Sequence, residues 1–391
     1  MKILIVHNNY GKYSGEEAVV DKMADMLTSH GHEVAFYRRT TEGVRESAVG
    51  KIKGFLSGIY SSSGVRGMWD ALRRERPDIV NVHNLYPFIS PAALFECKKS
   101  GVPVVMTIHN FRLICPTGLF MRDGLPCEVC LERGNEWSCV RYNCECNRLK
   151  SIGYTLRNVY ARWTGAYRKN VAAFACITDF QRQKLIAAGY EAERVTVIPN
   201  GIDAPTSYDL TGGNYVAYIG RLSYEKGYDL LIEVARRNPS IPFRFAGAKR
   251  EQSDMEIPGN VEFMGYLQKE ELSDFICHSR FVVMPSRCYE GFPMAILEAA
   301  CYGKPTIGPA HGGFTEIIGR GEQAIGALFD PNSLDDLERK VVSLWNRPDE
   351  IARLGEKAFE KLKREYSSEV IYQKWDNLFQ KLIWNNYART I

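Results

Sequence analysis

The segment from residue 281 to residue 301 constrains the fold most, because it encodes a strand, a loop and a helix in immediate succession. An apolar run from Phe281 to Met284 predicts a buried strand, and Ser286 to Phe292 predicts a loop. Pro293 suits the first residue of a helix, where its missing N–H costs nothing. Units of this kind are typical of α/β folds with parallel sheets.

Two carboxylates accompany this helix. It is apolar nearly all round up to Cys301 and should be buried, yet it carries Glu298, which then needs a hydrogen-bond donor. Glu290 stands in the preceding loop, beside the free N–H groups of the helix start at Gly291 to Met294, which form an anion site. Hydroxyl acceptors flanking a phosphate site predict a nucleotide-sugar pocket. The alternative is a buried Glu298 satisfied by local backbone.

The same stretch resembles a known family. Glu290 and Glu298, separated by seven residues, are followed by Gly-Lys-Pro at 303–305 and His-Gly-Gly-Phe-Thr-Glu at 311–316. Together they resemble the donor-site signature of the retaining GT-B glycosyltransferases (glycosyltransferase family 4, group 1), which include bacterial polysaccharide and lipid-linked glycan transferases. The resemblance implies that Glu290 holds hydroxyls of the donor sugar and Glu298 the ribose. It also implies an α/β fold of two Rossmann-like, doubly wound domains facing across a cleft.

Length and composition are compatible with this expectation. A chain of 391 residues suggests two or three domains. The N-terminal apolar run is too short for a signal peptide, and no stretch approaches the roughly 18–20 apolar residues of a membrane span, so we expect a cytoplasmic protein. A net charge of +4 argues against nucleic acid as the main partner.

Cysteines are concentrated in one part of the chain. With no export signal, the eleven cysteines should be thiols or metal ligands rather than disulfides. Cys127 and Cys130 form a Cys-x-x-Cys turn suited to zinc, but Cys144 and Cys146 make a less usual second pair. Structural zinc and reduced thiols both remain open for the cluster, whose six members are Cys115, Cys127, Cys130, Cys139, Cys144 and Cys146.

The chain opens with a predicted βαβ unit. Its first loop, residues 8–15, lacks Gly-x-Gly-x-x-Gly, and no acidic residue is placed to bind a ribose, so a nicotinamide or flavin cofactor is disfavoured and none is predicted. In the resembling family this loop touches the donor diphosphate through backbone N–H groups. Gly15 is the position expected to do so here, with Ser14 where many relatives have a glycine. A plain tight turn is the alternative.

His109 is the first-half residue expected at the site. Predicted strands at 77–83 and 102–108 end in His83-Asn84 and His109-Asn110, and ligands of open α/β sheets bind outside the carboxyl ends of strands. The run from Thr107 to Gly118 resembles a subgroup of these transferases in which the histidine faces the sugar and the donor phosphates. Taken alone, such a histidine is also compatible with a structural hydrogen-bonding role.

Residues 147–170 predict one amphipathic helix with a basic face. Cations occur without any acid, and Ile152, Leu156, Trp163 and Tyr167 recur at three- and four-residue steps. Such a helix could lie on an anionic membrane, which would make the protein peripheral at the inner face of the cell membrane. Alternatively, the apolar stripe packs on the first sheet. In either case we expect the cations to face outward; they are Arg148, Lys150, Arg157, Arg162, Arg168 and Lys169.

The segment Ile-Pro-Asn-Gly-Ile-Asp at 198–203 and the loose residues after it predict an interdomain linker. We expect an acceptor-side domain over 1–199, a nucleotide-sugar domain over 200–366, and a last helix, 367–391, that by resemblance crosses back to the first domain. In the second domain, residues Gly220 to Gly227 resemble the family motif whose Arg221 and Lys226 neutralise the donor diphosphate. Arginine and lysine at such a corner can both reach a diphosphate.

The predicted reaction transfers a sugar from a nucleoside diphosphate sugar to a glycan or lipid-linked acceptor, with retention of configuration. Arg221, Lys226 and the N–H groups at Gly291 and Phe292 would meet the charge of the leaving diphosphate, so we expect no metal requirement. His109 would approach from the first domain, and Glu290 would orient the sugar. The alternatives are a nucleotide-sugar epimerase of this fold and a non-catalytic subunit that binds the nucleotide sugar.

Overall fold

The chain forms two compact α/β units in a computed structural model, which describes residues 1–10, 14–42, 48–208, 212–249 and 255–388. The first unit comprises 1–120, 128–199 and 372–391, and the second comprises 121–127 and 200–371. Each contains one six-stranded parallel sheet, which confirms the prediction of two doubly wound domains. The predicted loop after the first strand and the predicted linker lie partly outside the described residues, at 11–13 and 209–211.

The first sheet has the strand order β2-β1-β3-β4-β7-β8, with parallel neighbours throughout. Strands β3, β4 and β7 are buried along their whole length, as expected for the centre of a sheet covered on both faces. A two-residue antiparallel pair, β5 with β6, stands apart from it. The strands are β1 (Lys2–Asn9), β2 (Glu33–Thr40), β3 (Ile79–Asn84), β4 (Val104–Ile108), β5 (Met121–Arg122), β6 (Leu125–Pro126), β7 (Ala173–Cys176) and β8 (Val195–Val197).

Helices connect these strands, and several begin at a capping side chain. Ser14, Ser61, Asn147 and Thr178 each accept a hydrogen bond from a backbone N–H in the first turn, which satisfies a donor that has no partner within the helix. The helices are α1 (Gly15–Ser29), α2 (Ala48–Ile59), α3 (Ser62–Glu75), α4 (Leu94–Lys99), α5 (Val129–Glu132), α6 (Trp137–Arg141), α7 (Arg148–Thr164), α8 (Ala166–Asn170) and α9 (Asp179–Ala187).

The second sheet has the strand order β11-β10-β9-β12-β13-β14, again parallel throughout. Its core includes fully buried Phe243, Phe245 and Phe281. The strands are β9 (Val216–Ile219), β10 (Phe243–Ala246), β11 (Val261–Gly265), β12 (Phe281–Val283), β13 (Thr306–Pro309) and β14 (Gly326–Phe329).

The remaining helices follow these strands and end the described chain. A π-helical turn, Leu362–Tyr366, follows α15, and the last helix, α16, has most of its residues in the first unit. The helices are α10 (Tyr228–Arg237), α11 (Lys269–Cys277), α12 (Met294–Ala300), α13 (Gly313–Ile318), α14 (Leu334–Trp345), α15 (Pro348–Lys361) and α16 (Ser368–Ala388).

Each sheet has a switch point, where the chain passes from one side of its first strand to the other. In the first sheet it lies between β1 and β3, and in the second between β9 and β12. Ligands of open parallel sheets bind outside the carboxyl ends of the strands at such points. The loops after β1, β3 and β4 and those after β9 and β12 are therefore the places to look for a site.

The expectation of a single helix over 147–170 with outward cations was wrong. Gly165 is left-handed (φ +70°) and separates α7 from α8. Arg157 is only 6% exposed: it donates to the Pro116 carbonyl at 2.5 Å, and its guanidinium lies 4.4 Å from the ring centre of Tyr86. The buried face of α7 is polar or small, whereas Trp163 is 83% exposed. None of the helices described is both long and apolar enough to cross a membrane.

Candidate functional site

Two loops of the second unit meet at its switch point. The loop after β9 contains a single 3₁₀ turn, Tyr224–Lys226, and ends at Gly227, whose φ is +67°. A Cβ added at Gly227 would lie 1.9 Å from the Pro285 carbonyl oxygen, in the loop after β12. Only glycine satisfies both the conformation and the space, so Gly227 allows the two loops to pack backbone against backbone.

Lys226 and Glu290 form an ion pair across these loops. The Lys226 ammonium contacts Glu290 Oε1, which also accepts a hydrogen bond from Ser286 Oγ at 2.8 Å. Their side chains are 19% and 13% exposed. Burial acts to raise the pKa of Glu290, but the Lys226 charge and the two hydrogen bonds outweigh it, and the pKa is lowered. The pKa of Lys226 is raised because Glu290 outweighs burial in the same way. Both groups are charged at neutral pH.

A second ion pair, Arg221 with Glu225, occupies the same loop after β9. The Arg221 guanidinium lies 3.2 Å from Glu225 Oε1, and the Glu225 carbonyl accepts the backbone N–H of Arg287 at 3.0 Å. Arg287 in turn forms a two-point ion pair with Asp229, at 2.6 and 2.5 Å. Such two-point pairs are the stronger and more directional kind. The backbone hydrogen bond of Arg287 thus ties the two loops together, and its ion pair holds the loop after β12 to the start of α10.

The turn before α13 packs directly on the backbone of Glu290. Gly313 N–H donates to the Glu290 carbonyl at 2.9 Å, and a Cβ on Gly313 would lie 2.4 Å from the Gly291 carbonyl oxygen. The His311 ring stands edge-on to Tyr289, with ring centres 5.3 Å apart, and burial lowers its pKa. Neither buried ring nitrogen of His311 has a hydrogen-bond partner in the described parts of the chain. Sequence reasoning assigned no role to His311.

The helix that carries Glu298 begins one residue later than predicted. Pro293 precedes α12 and occupies its N-cap, with extended backbone, and the helix runs over Met294–Ala300. Phe292 is largely buried, and its ring packs against that of Tyr366, with ring centres 5.6 Å apart. Glu298 is partly exposed rather than buried. The premise that burial demands a donor for Glu298 was therefore too strong.

In the first unit, His109 follows β4 directly and contacts a second histidine. His109 Nε2 lies 2.8 Å from His83 Nδ1, near the end of β3, and the two rings meet edge to edge, with their planes inclined by 20° and their centres 5.1 Å apart. The ring centre of His7, on β1, lies 6.4 Å from that of His83. Neighbouring strands thus bring three histidines together. The sequence predicted a site residue at His109 but gave no partner for it.

Burial keeps these three histidines uncharged. It lowers the pKa of His109 to about 4, with a smaller contribution from the Arg112 charge, and the pKa of His7 to about 4. The pKa of His83 is lowered well below its usual value, by burial and then by its histidine neighbours. At neutral pH the rings of this histidine cluster (His7, His83 and His109) therefore offer hydrogen bonds and no charge.

A polar chain missed by the sequence analysis lies beside the histidine cluster. Arg112 Nη1 donates to the Tyr10 hydroxyl at 2.8 Å, and that hydroxyl donates to Glu16 Oε2 at 3.2 Å. Burial raises the pKa of Tyr10 to about 12 and also raises that of Glu16. These residues follow the carboxyl ends of β1 and β4 within a few positions. Their position just after the ends of neighbouring strands was the sequence feature that could have identified them.

Gly15 is the first residue of α1, directly after the capping Ser14. It is exposed, its backbone is helical, and a Cβ added there would meet no atom within 4 Å. Neither the conformation nor the packing of the described residues requires glycine at this position. A requirement for glycine would therefore have to come from a ligand.

The cysteine cluster does not assemble a metal site. Within the described ranges, no three His, Cys, Asp or Glu side chains are arranged to hold a metal ion. All eleven cysteines fall in those ranges, and none forms a disulfide. Cys139 is buried, and a hydrogen bond with Cys144 lowers its pKa. The described residues therefore give no ligand set for structural zinc, and reduced thiols stay a prediction.

Two family models match the chain. Residues 13–205 match the model "Glycosyltransferase Family 4", and residues 207–361 match "Glycosyl transferases group 1". The second match contains the loops after β9 and β12, with Arg221, Lys226, Glu290 and Glu298. The boundary between the two matches falls close to residue 199, where the first compact unit gives way to the second.

Among individual proteins, the chain is 26% identical to an uncharacterised 42.6 kDa protein in the cps region of Klebsiella pneumoniae, over 88% of this chain and 96% of that one. It is 25% identical to the O-antigen chain mannosyltransferase C of Escherichia coli, over 45% and 48% of the two chains. The first similarity spans nearly the whole of both proteins, and the second about half.

Solved structures share the fold. HepE of Anabaena, crystallised with UDP and with UDP-glucose, superposes with a TM-score of 0.66 at 16% identity, over 98% of this chain and 100% of that one. A glycosyltransferase of Rickettsia africae gives a TM-score of 0.69 at 14% identity, over 98% of each chain. With its two Rossmann-like units and both family matches, the chain belongs to the group 1 glycosyltransferases of the GT-B fold.

Proposed function

We propose that this chain transfers a sugar from a nucleoside diphosphate sugar to a glycan or lipid-linked acceptor, with retention of configuration, in the synthesis of a cell-surface polysaccharide. The observation that carries the proposal is the ion pair of Lys226 and Glu290 at the switch point of the second sheet, with Arg221 in the same loop. The cps-region and O-antigen relatives support a polysaccharide product.

The two ion pairs suit a leaving diphosphate. In the reaction, negative charge grows on the diphosphate as the anomeric carbon becomes cationic, and fixed cations stabilise that charge. Lys226 and Arg221 are each paired with a carboxylate, Glu290 and Glu225 respectively. When the diphosphate takes over Lys226, Glu290 becomes available to accept hydroxyls of the donor sugar. The backbone N–H groups of Gly291 and Phe292 add donors beside the phosphates.

The remaining donor contacts follow the family resemblance. Glu298 holds the ribose, which its partial exposure allows. Gly220 and Pro293 border the same pocket through the loop after β9 and the start of α12. From the first unit, His109 contributes to sugar and phosphate binding, and Gly15 lets the backbone approach the diphosphate. HepE, which binds UDP and UDP-glucose in its crystals, supports a nucleotide sugar as the donor.

Thermal denaturation with a panel of nucleotides tests donor binding. The panel contains uridine, guanosine and adenosine diphosphates and their sugars, with Glu298→Ala as the control. A ligand at 100 times its dissociation constant adds about 2.7 kcal/mol of stability. We expect stabilisation by one base family, and loss of it in Glu298→Ala. No stabilisation by any nucleotide would contradict the proposal and favour a non-catalytic subunit.

Turnover tests the reaction itself. We expect no product when donor is supplied without acceptor; conversion of the donor alone would instead indicate an epimerase. With acceptor, the anomeric configuration of the new bond should match that of the donor. Since cationic side chains neutralise the leaving group, we expect transfer to continue in chelator, and an absolute requirement for manganese would contradict that part of the proposal.

The outer face of α7 supports a second, local proposal, that the chain binds an anionic membrane surface. Leu149 is 73% exposed and Trp163 83%, and both lie on one stripe of the helix with partly exposed Leu156 between them. Exposed Arg148 and Lys150 flank Leu149. An apolar stripe ending in tryptophan beside cations is typical of helices that lie in a lipid interface. This set replaces Arg157, which is buried, and Arg162, which pairs with Glu136 at 3.0 Å.

Flotation with vesicles of anionic phospholipid tests this surface. We expect the protein to float with anionic vesicles and to lose most binding in Trp163→Ala, because an exposed tryptophan supplies apolar contact with the lipid interface. Trp384→Ala is the matched control, since Trp384 is 74% exposed on α16. Arg148→Glu with Lys150→Glu should weaken binding in a salt-dependent way. No flotation, or equal loss in both tryptophan variants, would contradict this proposal.

A further inference from the structure

We propose that His83 is a positioning residue for His109: its Nδ1–H donates to His109 Nε2 and holds His109 in the tautomer that carries hydrogen on Nδ1. The His109 Nδ1–H is then the group offered to the donor sugar or its phosphates. This inference rests on the proposed function for its meaning in the reaction, but the tautomer itself is a property of the protein without ligand.

The contact is built by neighbouring strands. His83 is the penultimate residue of β3, and His109 follows the last residue of β4, its parallel neighbour. Their ring nitrogens, His83 Nδ1 and His109 Nε2, lie 2.8 Å apart, and His83 is buried. Thr107 Oγ1 and Asn81 Oδ1 bond across the same two strands at 2.9 Å, two residues earlier on each. The histidine pair therefore continues the register of β3 and β4 and is not a chance contact between two loops.

Both rings are neutral, so the contact needs one proton and one lone pair. Either His83 Nδ1–H donates to a lone pair on His109 Nε2, or His109 Nε2–H donates to a lone pair on His83 Nδ1. A neutral imidazole carries one hydrogen, so each choice also fixes the state of the ring nitrogen that lies outside the contact. The two choices differ in what they leave at His83 Nε2 and at His109 Nδ1.

The surroundings of His83 Nε2 decide between them. This atom is buried and has no hydrogen-bond partner among the described residues. If His109 donated, His83 Nε2 would carry a buried hydrogen with no acceptor, and orphaned buried N–H groups are rarer than under-satisfied acceptors. A lone pair at His83 Nε2, and hence a hydrogen on Nδ1, is the favoured state.

The consequence for His109 is a defined chemical role. With Nε2 occupied as an acceptor, Nδ1 carries the hydrogen, which His109 can then offer to a ligand oxygen. The charged group that acts on His109 is Arg112, whose positive charge opposes protonation of the ring. His109 therefore binds ligand oxygens as a neutral hydrogen-bond donor and does not remove a proton from the substrate near pH 7.

Nuclear magnetic resonance of the ligand-free protein tests the tautomer directly. In a sample labelled with ¹⁵N-histidine, two-bond nitrogen–proton correlations distinguish the two neutral tautomers and the charged ring, and His109→Asn identifies the signals. We expect the Nδ1–H pattern for His109 from pH 6 to 8. The Nε2–H pattern, or a charged ring, would overturn the inference. Since neither donor nor turnover enters this experiment, failure of the proposed function would leave its result standing.

Two substitutions at His83 test the positioning role. The amide of His83→Asn can still donate a hydrogen bond, whereas His83→Leu cannot. We expect His83→Leu to lose the Nδ1–H pattern at His109 and to lower kcat/KM by about 10- to 100-fold, the loss typical when the partner that orients a metal-bound histidine is removed. His83→Asn should retain the pattern and most of the activity.

Thermal denaturation and dispersed amide spectra establish that both His83 variants are folded. An equal loss of kcat/KM in His83→Asn and His83→Leu, with the His109 pattern unchanged in both, would overturn the positioning role, because packing alone would then explain the loss. Normal kcat/KM in His83→Leu would overturn it as well.

Discussion

The two units place polar side chains at their switch points in opposite electrical states. In the second unit, Lys226 with Glu290 and Arg221 with Glu225 are charged and paired. In the first, His7 and His83 are buried, His109 is partly exposed, and all three are neutral. Equivalent positions in two similar sheets therefore serve different chemistry. Under the proposed function, the ion pairs of the second unit supply charge for a diphosphate, and the histidines of the first unit supply hydrogen bonds.

The difference comes from partners rather than from depth. Glu290 and His109 are both largely removed from water, and burial opposes the charged form of each. Glu290 has a cation and a hydroxyl donor within reach, and these outweigh burial. His109 has only another neutral histidine and the repelling Arg112, so burial prevails. A buried group stays charged only where opposite charge accompanies it.

Removing the cation of the second unit should have the largest effect. We expect Lys226→Ala to lower kcat by at least about 10²- to 10³-fold, because a fixed donor to the leaving group is lost. The same substitution leaves Glu290 largely buried without its partner, which costs up to about 3 kcal/mol of unfolding free energy. Steady-state kinetics and thermal denaturation measure the two effects separately.

The double variant Lys226→Met with Glu290→Gln separates the loss of transfer from the loss of stability. It removes both charges, so stability should recover towards that of the unmodified chain while transfer stays lost. Recovery of transfer together with stability would show that Lys226 serves the fold and not the diphosphate. Glu290→Ala alone should also abolish transfer, and near-normal turnover in a folded Glu290→Ala protein would refute its role with the sugar.

Sequence periodicity was sufficient for most of the fold because the central strands are continuous apolar runs. The predicted strands at 281–284 and 102–108 correspond to β12 and β4 within two residues at each end. Strands β13 and β14 were not predicted. The helix prediction over 147–170 failed because α7 buries a polar face, with Arg157 held by a carbonyl and aromatic rings. A helix that buries its polar face depends on tertiary contacts, and hydrophobic periodicity in the sequence does not reveal those contacts.

The candidate site was predictable where its residues form a continuous motif. Arg221, Lys226 and Glu290 lie in loops whose motifs could be read along the chain, and the structure brings them together. The pairing of Lys226 with Glu290 and of His83 with His109 joins residues 64 and 26 positions apart. Those contacts depend on the order of the strands in each sheet. The sequence predicted the class of fold but not the strand order. The roles given to these residues stay predictions.

A second prediction concerns the packing that supports the charged pair. Gly227→Ala should lower unfolding free energy by at least about 2 kcal/mol, because alanine disfavours a φ of +67° and its Cβ would lie 1.9 Å from the Pro285 oxygen. The backbone movement that relieves this contact should also displace Lys226 and reduce sugar transfer. Gly259→Ala is the matched control, since a Cβ there meets nothing within 4 Å. Equal stability of the two variants in urea denaturation would contradict this reading.

A third prediction uses pH to separate the units. The folded-state pKa values of His7 and His109, about 4, lie below the unfolded value of 6.5. The unfolded chain therefore binds more protons between pH 6.5 and 4, and stability falls as the pH falls, by up to about 1.4 kcal/mol per pH unit for each histidine. Glu290 has a lowered pKa, so its contribution is lost only as the pH falls below about 4.5, through its folded pKa.

Acid sensitivity between pH 6.5 and 5 should therefore come mainly from the histidine cluster of the first unit, with a contribution from His311 in the second unit, whose pKa is also lowered by burial. Thermal denaturation at pH 7 and pH 5 should show a smaller loss of stability in His7→Phe than in the unmodified chain. His278→Asn, which removes an exposed histidine of the second unit, serves as the control. If the two variants lost stability equally on acidification, the buried histidines would not be the acid-sensitive groups.

The smallest effect should be at Gly15, and it distinguishes a ligand requirement from a structural one. Alanine is favoured over glycine by roughly 0.5–1 kcal/mol inside a helix, and a Cβ at Gly15 has open space, so Gly15→Ala should leave stability unchanged or slightly raised. If the donor diphosphate approaches this backbone, the added methyl group should still weaken donor binding by about 10-fold, which corresponds to about 1.4 kcal/mol of binding free energy. Titration with the donor nucleotide measures this, with Gly31→Ala as a comparison, because Gly31 is left-handed (φ +81°) and that variant should lose stability but keep donor affinity. Unchanged donor affinity in Gly15→Ala would mean that glycine is not needed there for the ligand, and the first unit would then contribute to the donor through its histidines alone.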